Sequence, residues 1–159
     1  MNLTYLAPHL IADLVWPALV LESRLLSVAP IAAGLAVEWL VLYFGGFGFS
    51  WKKALVVDVV MNAASSIIGI VLLPILGIIW ELFPGTLIYK ALHTGTFNPI
   101  TWIATFFLSV GGSTMVEAAV VKFGFKIPLG WKRFGLLSLA NFLSTAIAFV
   151  SLWTHPPTY

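Results

Sequence analysis

Glu38 and Asn62 stand 24 residues apart in apolar sequence, and Glu117 and Asn141 repeat the pair at the same spacing. Acids and amides are costly in hydrocarbon, so a chain that places them there twice has a use for them. A carboxyl can hold or hand on a proton or face a cation, and an amide can orient it by donating to one of its oxygens. The same groups can instead serve as polar glue that fixes the register of two helices. Gly34 and Ser113, four residues before each Glu, would let those helices approach closely. Ser65 and Ser144 follow each Asn by three residues, which puts them on the Asn face of a helix. Asp58 precedes Asn62 by four and shares that face, whereas Leu137 holds the matching place before Asn141. The candidate polar site within the membrane is therefore Glu38, Asp58, Asn62, Ser65, Glu117, Asn141 and Ser144. For Asp58 a plainer role is open as well, a pairing with the long side chain of Lys52 or Lys53 at the membrane edge.

Other chemistries find little support. Cysteine is absent, which excludes disulfides and thiolate metal centres. His9, His93 and His155 are scattered, and Asp13 four residues after His9 is too little to specify a metal site, so no metal ligand and no cofactor is assigned. The glycine-rich GGFGFS lacks the Lys-Ser/Thr of a phosphate loop and reads as a turn between helices. No Ser/His/Asp set, zinc helix or paired catalytic carboxylates can be found, so no enzyme is expected. The net charge is +2 and no basic run exceeds two residues, which gives no footprint for nucleic acid.

The elements that must carry these groups are set by composition. Of 159 residues, 60% are hydrophobic and 9% charged, more apolar surface than a water-soluble domain of this size can hide. About 20 apolar residues cross a bilayer, and four segments qualify: 25–47, 53–80, 100–122 and 132–153. Pro74 should kink or divide the second. Residues 3–22, with Pro8, Asp13 and Pro17, and residues 82–92, opening with Pro84-Gly85, read as interfacial or re-entrant pieces. No Lys or Arg precedes Arg24, which is unlike a cleavable secretory signal. Lys52 and Lys53 mark one hairpin loop, and Lys122, Lys126, Lys132 and Arg133 surround the other. Both loops are expected in the cytoplasm and both termini outside, in the inner (cytoplasmic) membrane of a prokaryote. Trp16, Trp51, Trp80, Trp131 and Trp153 suit interfacial belts. From the loop ends, Glu38 and Asn62 fall roughly 14 Å deep, near the middle of a ~30 Å core.

At an offset of 79 (Glu38 to Glu117) one half of the chain aligns with the other. Val37, Glu38, Val41, Phe44 and Gly45 meet Val116, Glu117, Val120, Phe123 and Gly124. Asn62, Ser65 and Ile68 meet Asn141, Ser144 and Ile147, and Trp51-Lys52-Lys53 meets Trp131-Lys132-Arg133 after a one-residue shift. Self-similarity at half the chain length predicts a duplication. The expectation is an all-α integral membrane protein of about four transmembrane helices, as two tandem parallel helical-hairpin repeats over 1–79 and 80–159, each hairpin preceded by an interfacial or re-entrant segment. The expected function is movement of a proton, cation or small solute through the paired Glu/Asn sites. The alternative is a non-catalytic accessory or scaffold subunit of a larger energy-transducing or secretion complex. Expected partners are the lipid bilayer and either further copies of the chain or other membrane subunits.

Overall fold

The computed structural model describes residues 20–21, 25, 27–95 and 97–154. The expectations for residues 3–22 rest almost wholly outside the described residues, as do His9, Asp13, Trp16, Arg24, His155 and the side chain of Trp153. Among the described residues the chain is helical, without strands. The main helices are α1 (Val28–Phe44), α2 (Trp51–Trp80), α3 (Thr86–Leu92), α4 (Pro99–Ala119) and α5 (Trp131–Thr154).

Local chemistry sets the helix starts. The Ser50 hydroxyl accepts from the Lys53 amide at the head of α2. At α4, Asn98 Oδ1 accepts from the amides of Ile100 and Thr101 at 2.9 and 3.0 Å, and Pro99 opens the helix where its missing N–H costs nothing. The loop between α1 and α2 turns through Gly46 and Gly48, both at positive φ, where a side chain would be strained.

Two elements differ from the sequence expectation. Segment 82–92 does not form a separate piece: α2 runs through Pro74, passes a π-helical turn at Glu81–Gly85 and continues as α3. A wider turn relieves the clash of the Pro84 ring with the preceding turn, and Thr86 Oγ1 donates to the Glu81 carbonyl at 2.5 Å. The resulting rod, Trp51–Leu92, has 42 residues. At 1.5 Å per residue it is roughly 60 Å long, about twice the hydrocarbon core. The first expected span, 25–47, is shorter than drawn. Ser27 is extended and Gly45 ends the helix, so α1 holds 17 residues. Among the described residues, three helical segments are thus long and apolar enough to cross a membrane: Trp51–Leu92, Pro99–Gly124 and Trp131–Leu152, whose 18-residue apolar stretches have mean hydropathies of 2.3, 1.5 and 1.8.

Helix α1 packs against α5 and α2, and α4 packs against α2 and α5, which closes a four-helix ring. The ring is polar within and apolar without. Glu38, Asp58 and Glu117 are 2%, 0% and 1% exposed, while Ile67, Met115 and Phe123 are about 70% exposed. Water would favour the reverse; lipid favours this order. At the loop end an apolar cluster that includes Leu42, Phe47, Val57, Met61, Val121 and Leu137 fills the interior. There Arg133 joins the two loops. Its Nη2 and Nε donate to the Gly46 carbonyl at 2.8 and 3.2 Å, its Nη1 donates to the Pro128 carbonyl at 2.8 Å, and its guanidinium lies over the Phe47 ring.

Candidate functional site

The two acid–amide pairs form hydrogen bonds inside the ring. Asn62 Nδ2 donates to Glu38 Oε2, bridging α2 and α1, and Asn141 Nδ2 donates to Glu117 Oε2, bridging α5 and α4, each at 2.5 Å. The serines are placed less simply. Ser65 and Ser144 donate to the backbone carbonyls of Asn62 and Asn141, three residues back on their own helices. Their hydroxyls nevertheless sit beside the acid of the opposite pair, Ser144 next to Glu38 and Ser65 next to Glu117. The pattern crosses over because α1 lies against α5, and α2 against α4. Gly34 makes the first of these contacts possible, since a β-carbon there would sit 3.2 Å from Ser144 Cβ.

These groups surround one cavity of about 280 Å³, whose lining includes Gly34, Glu38, Asn62, Glu117, Asn141 and Ser144. Ser65, Ser109 and Ser113 also face it. Glu38 and Glu117 both line this space, one from each hairpin.

Asp58 does not line the cavity. It lies one turn toward the loop end, within the region of the apolar cluster, and its Oδ1 accepts from Asn62 Nδ2 at 3.1 Å. Its Oδ2 is buried and meets no protein donor. Lys52 and Lys53 place their ammonium groups over the rings of Trp51 and Phe49, at 5.5 and 5.2 Å from the ring centres. Leu137, at the place matching Asp58, is fully buried.

The structure adds a cluster that the sequence reading did not single out. At the end of the bundle away from the loops, Tyr89 Oη donates to Glu81 Oε1 at 2.7 Å and lies 3.0 Å from Thr101 Oγ1, which also accepts from Asn98 Nδ2 at 3.1 Å. A phenol has one proton, and here it goes to Glu81. The Thr101 hydroxyl must therefore donate to Tyr89. The available signal was the spacing Thr101, Thr105, Ser109, Ser113, Glu117, one polar group every four residues along α4.

His93 ends α3 in the left-handed conformation, and among the described residues no three His, Asp or Glu side chains gather to hold a metal ion. No protein-family model, curated protein or solved structure matches the chain.

Proposed function

We propose that this chain is a polytopic membrane protein of two tandem helical hairpins, 1–79 and 80–159, which moves a proton, another small cation or a small solute through the cavity between Glu38 and Glu117. The observation that carries the reading is the convergence of two Glu–Asn pairs, each with a serine from the opposite hairpin, on one cavity in the middle of the ring. Two helices can be clamped in register by a single Asn–Glu bond and a dry contact. A space of about 280 Å³, into which carboxyls, amides and hydroxyls project between apolar side chains such as Ile31, Leu35 and Leu72, offers room for several water molecules or one small hydrated ion. Ionisable groups in such a place mark ion or proton pathways in membrane proteins.

The hairpin order supports a parallel duplication. Each half contributes one Glu–Asn bond with the same 24-residue separation, and the pairings α1–α5 and α2–α4 exchange under the 79-residue offset. Basic residues at both loops support a cytoplasmic location for those loops.

The test is transport in sealed proteoliposomes, comparing wild type with Glu38→Gln and Glu117→Gln. Each substitution keeps the shape and a hydrogen-bonding oxygen while removing the titratable group. Loss of flux in either variant supports the reading. Unaltered flux and proton coupling in both would overturn it, and a stoichiometric partner on gentle purification would then favour the accessory-subunit role.

A further inference from the structure

The cavity is central, and the two halves of the chain differ in what flanks it. Toward the end away from the loops, α4 presents Thr101, Thr105, Ser109 and Ser113 above Glu117. At the 79-residue offset the first half carries Glu22, Leu26, Pro30 and Gly34 opposite Thr101, Thr105, Ser109 and Ser113, none of them a hydroxyl. Toward the loops the imbalance reverses, with Asp58 in the first half and Leu137 in the second.

The α4 hydroxyls are unusual in how they are bonded. Serine and threonine in a helix ordinarily return their proton to a carbonyl of the preceding turn. Ser138, Ser151, Ser65 and Ser144 do so here. Thr105 and Ser109, 0% and 1% exposed, do not, and their oxygens meet no protein partner. A buried hydroxyl without a protein partner is a site for ordered water. Ser109 and Ser113 line the cavity, so the row opens directly into it. Residues four apart on a helix have β-carbons roughly 6 Å apart, a gap that one bridging water closes. The row also drifts by about 40° per step around the helix. It begins against Tyr89, on the rod formed by α2 and α3, and ends at Glu117, bonded to α5 and beside Ser65 of α2.

We infer that protons cross this protein along one asymmetric route: from Glu81 through Tyr89 and Thr101, along water bridging Thr105, Ser109 and Ser113, to Glu117, across the cavity to Glu38, and on to Asp58. Each step is a hop. An incoming proton on the Glu81 carboxyl makes Glu81 the donor: the Tyr89 and Thr101 hydroxyls turn away from their resting direction, Glu81 hands its proton to the Tyr89 oxygen, and the phenol hands its own to Thr101. Thr101 releases its proton to the next water, and every oxygen ends with as many protons as it began. At the cavity the proton rests on Glu117 or Glu38, between which water in the cavity relays it while the Asn62 and Asn141 amides hold the two carboxyls in place. Asp58 Oδ2, meeting no donor inside the apolar cluster, is the last acceptor on the loop side, and it returns to the carboxylate by releasing the proton to water that reaches it from the loop end. Thr114 is an equally buried hydroxyl of α4 without a partner, yet it lies outside the four-residue row and the cavity lining, and it takes no part.

The route rests on the transport reading proposed above, and the experiment separates the two. The full chain is reconstituted in liposomes containing a pH-sensitive dye, and proton influx is driven by a potassium diffusion potential. Thr105→Val and Ser109→Ala should each lower the influx by at least about tenfold, since each replaces a water-binding hydroxyl with an apolar group. Thr105→Ser should restore it, Tyr89→Phe should lower it, and Thr114→Val should leave it at the wild-type level. Equal thermal transitions in detergent establish that the variants fold. If wild type and Glu117→Gln differ but Thr105→Val and Ser109→Ala match wild type, the route is overturned and the transport reading stands. If wild-type vesicles conduct no more protons than empty ones, the route is overturned, and a sodium or solute flux sensitive to Glu117→Gln would leave only the broader reading.

Discussion

Glu38→Ala and Glu117→Ala are the same chemical change at matched sites, and the structure requires them to differ in cost. The amide nitrogen of an asparagine carries two protons. Asn62 Nδ2 has three acceptors within reach: Glu38 Oε2, Asp58 Oδ1 at 3.1 Å and the Asp58 carbonyl at 3.1 Å. Asn141 Nδ2 has two, Glu117 Oε2 and the Leu137 carbonyl at 3.2 Å. Removing Glu38 leaves two acceptors for two protons; removing Glu117 leaves one, and orphans a buried donor. Orphaned donors cost about 1–3 kcal/mol in soluble proteins, and interhelical bonds in membranes average nearer 0.6 kcal/mol. Glu117→Ala should therefore be the more destabilising by about 1 kcal/mol, roughly fivefold in the folded to unfolded ratio. The cavities left by the two truncations are alike and largely cancel. Tryptophan fluorescence during detergent-induced unfolding measures the difference. A second leg sharpens it: in an Asp58→Leu background the first hairpin has the acceptors of the second, so Glu38→Ala should rise to the cost of Glu117→Ala. Equal costs in the wild-type background, or a costlier Glu38→Ala, would refute the donor counting.

Two further outcomes follow from packing and topology. Gly34→Val should cost about 1–3 kcal/mol and narrow the cavity, because even a single β-carbon at Gly34 lies 3.2 Å from Ser144 Cβ and α1 and α5 would have to part; thermal unfolding in detergent reads the loss. The chain lacks cysteine, so Lys52→Cys, Lys132→Cys and Thr94→Cys can each be labelled alone with a membrane-impermeant maleimide in oriented vesicles. The first two should react from one side and the third from the other, and any other pattern would contradict parallel hairpins.

The acid–amide pairs were legible in the sequence because each residue is expensive in hydrocarbon and the spacing recurs. Their bonding across α1–α2 and α4–α5 follows from depth alone. The crossing of Ser144 to Glu38 and of Ser65 to Glu117 was not legible, since it depends on which helices are neighbours in the ring, and apolar faces this uniform do not encode that order. Pro84-Gly85 misled for a local reason: the pair is a strong turn signal, and a π-helical turn absorbs it when the next residues, Thr86 and Tyr89, supply bonds to Glu81. The α4 hydroxyls were passed over because Ser and Thr are cheap in membrane helices when they bond their own backbone. Only coordinates reveal that Thr105 and Ser109 do not.

Arg133 ties Gly46 of one loop to Pro128 of its own, and an apolar cluster of buried side chains lies behind it. A bundle stitched at one end has its pivot there. Small tilts of the hairpins about that joint would move the opposite ends, with Glu81, Tyr89 and Thr101, through the largest arc, as the tips of tweezers move while the hinge stays still. The bonds joining α3 to α4 through Tyr89 and Thr101 then act as the latch at the tips.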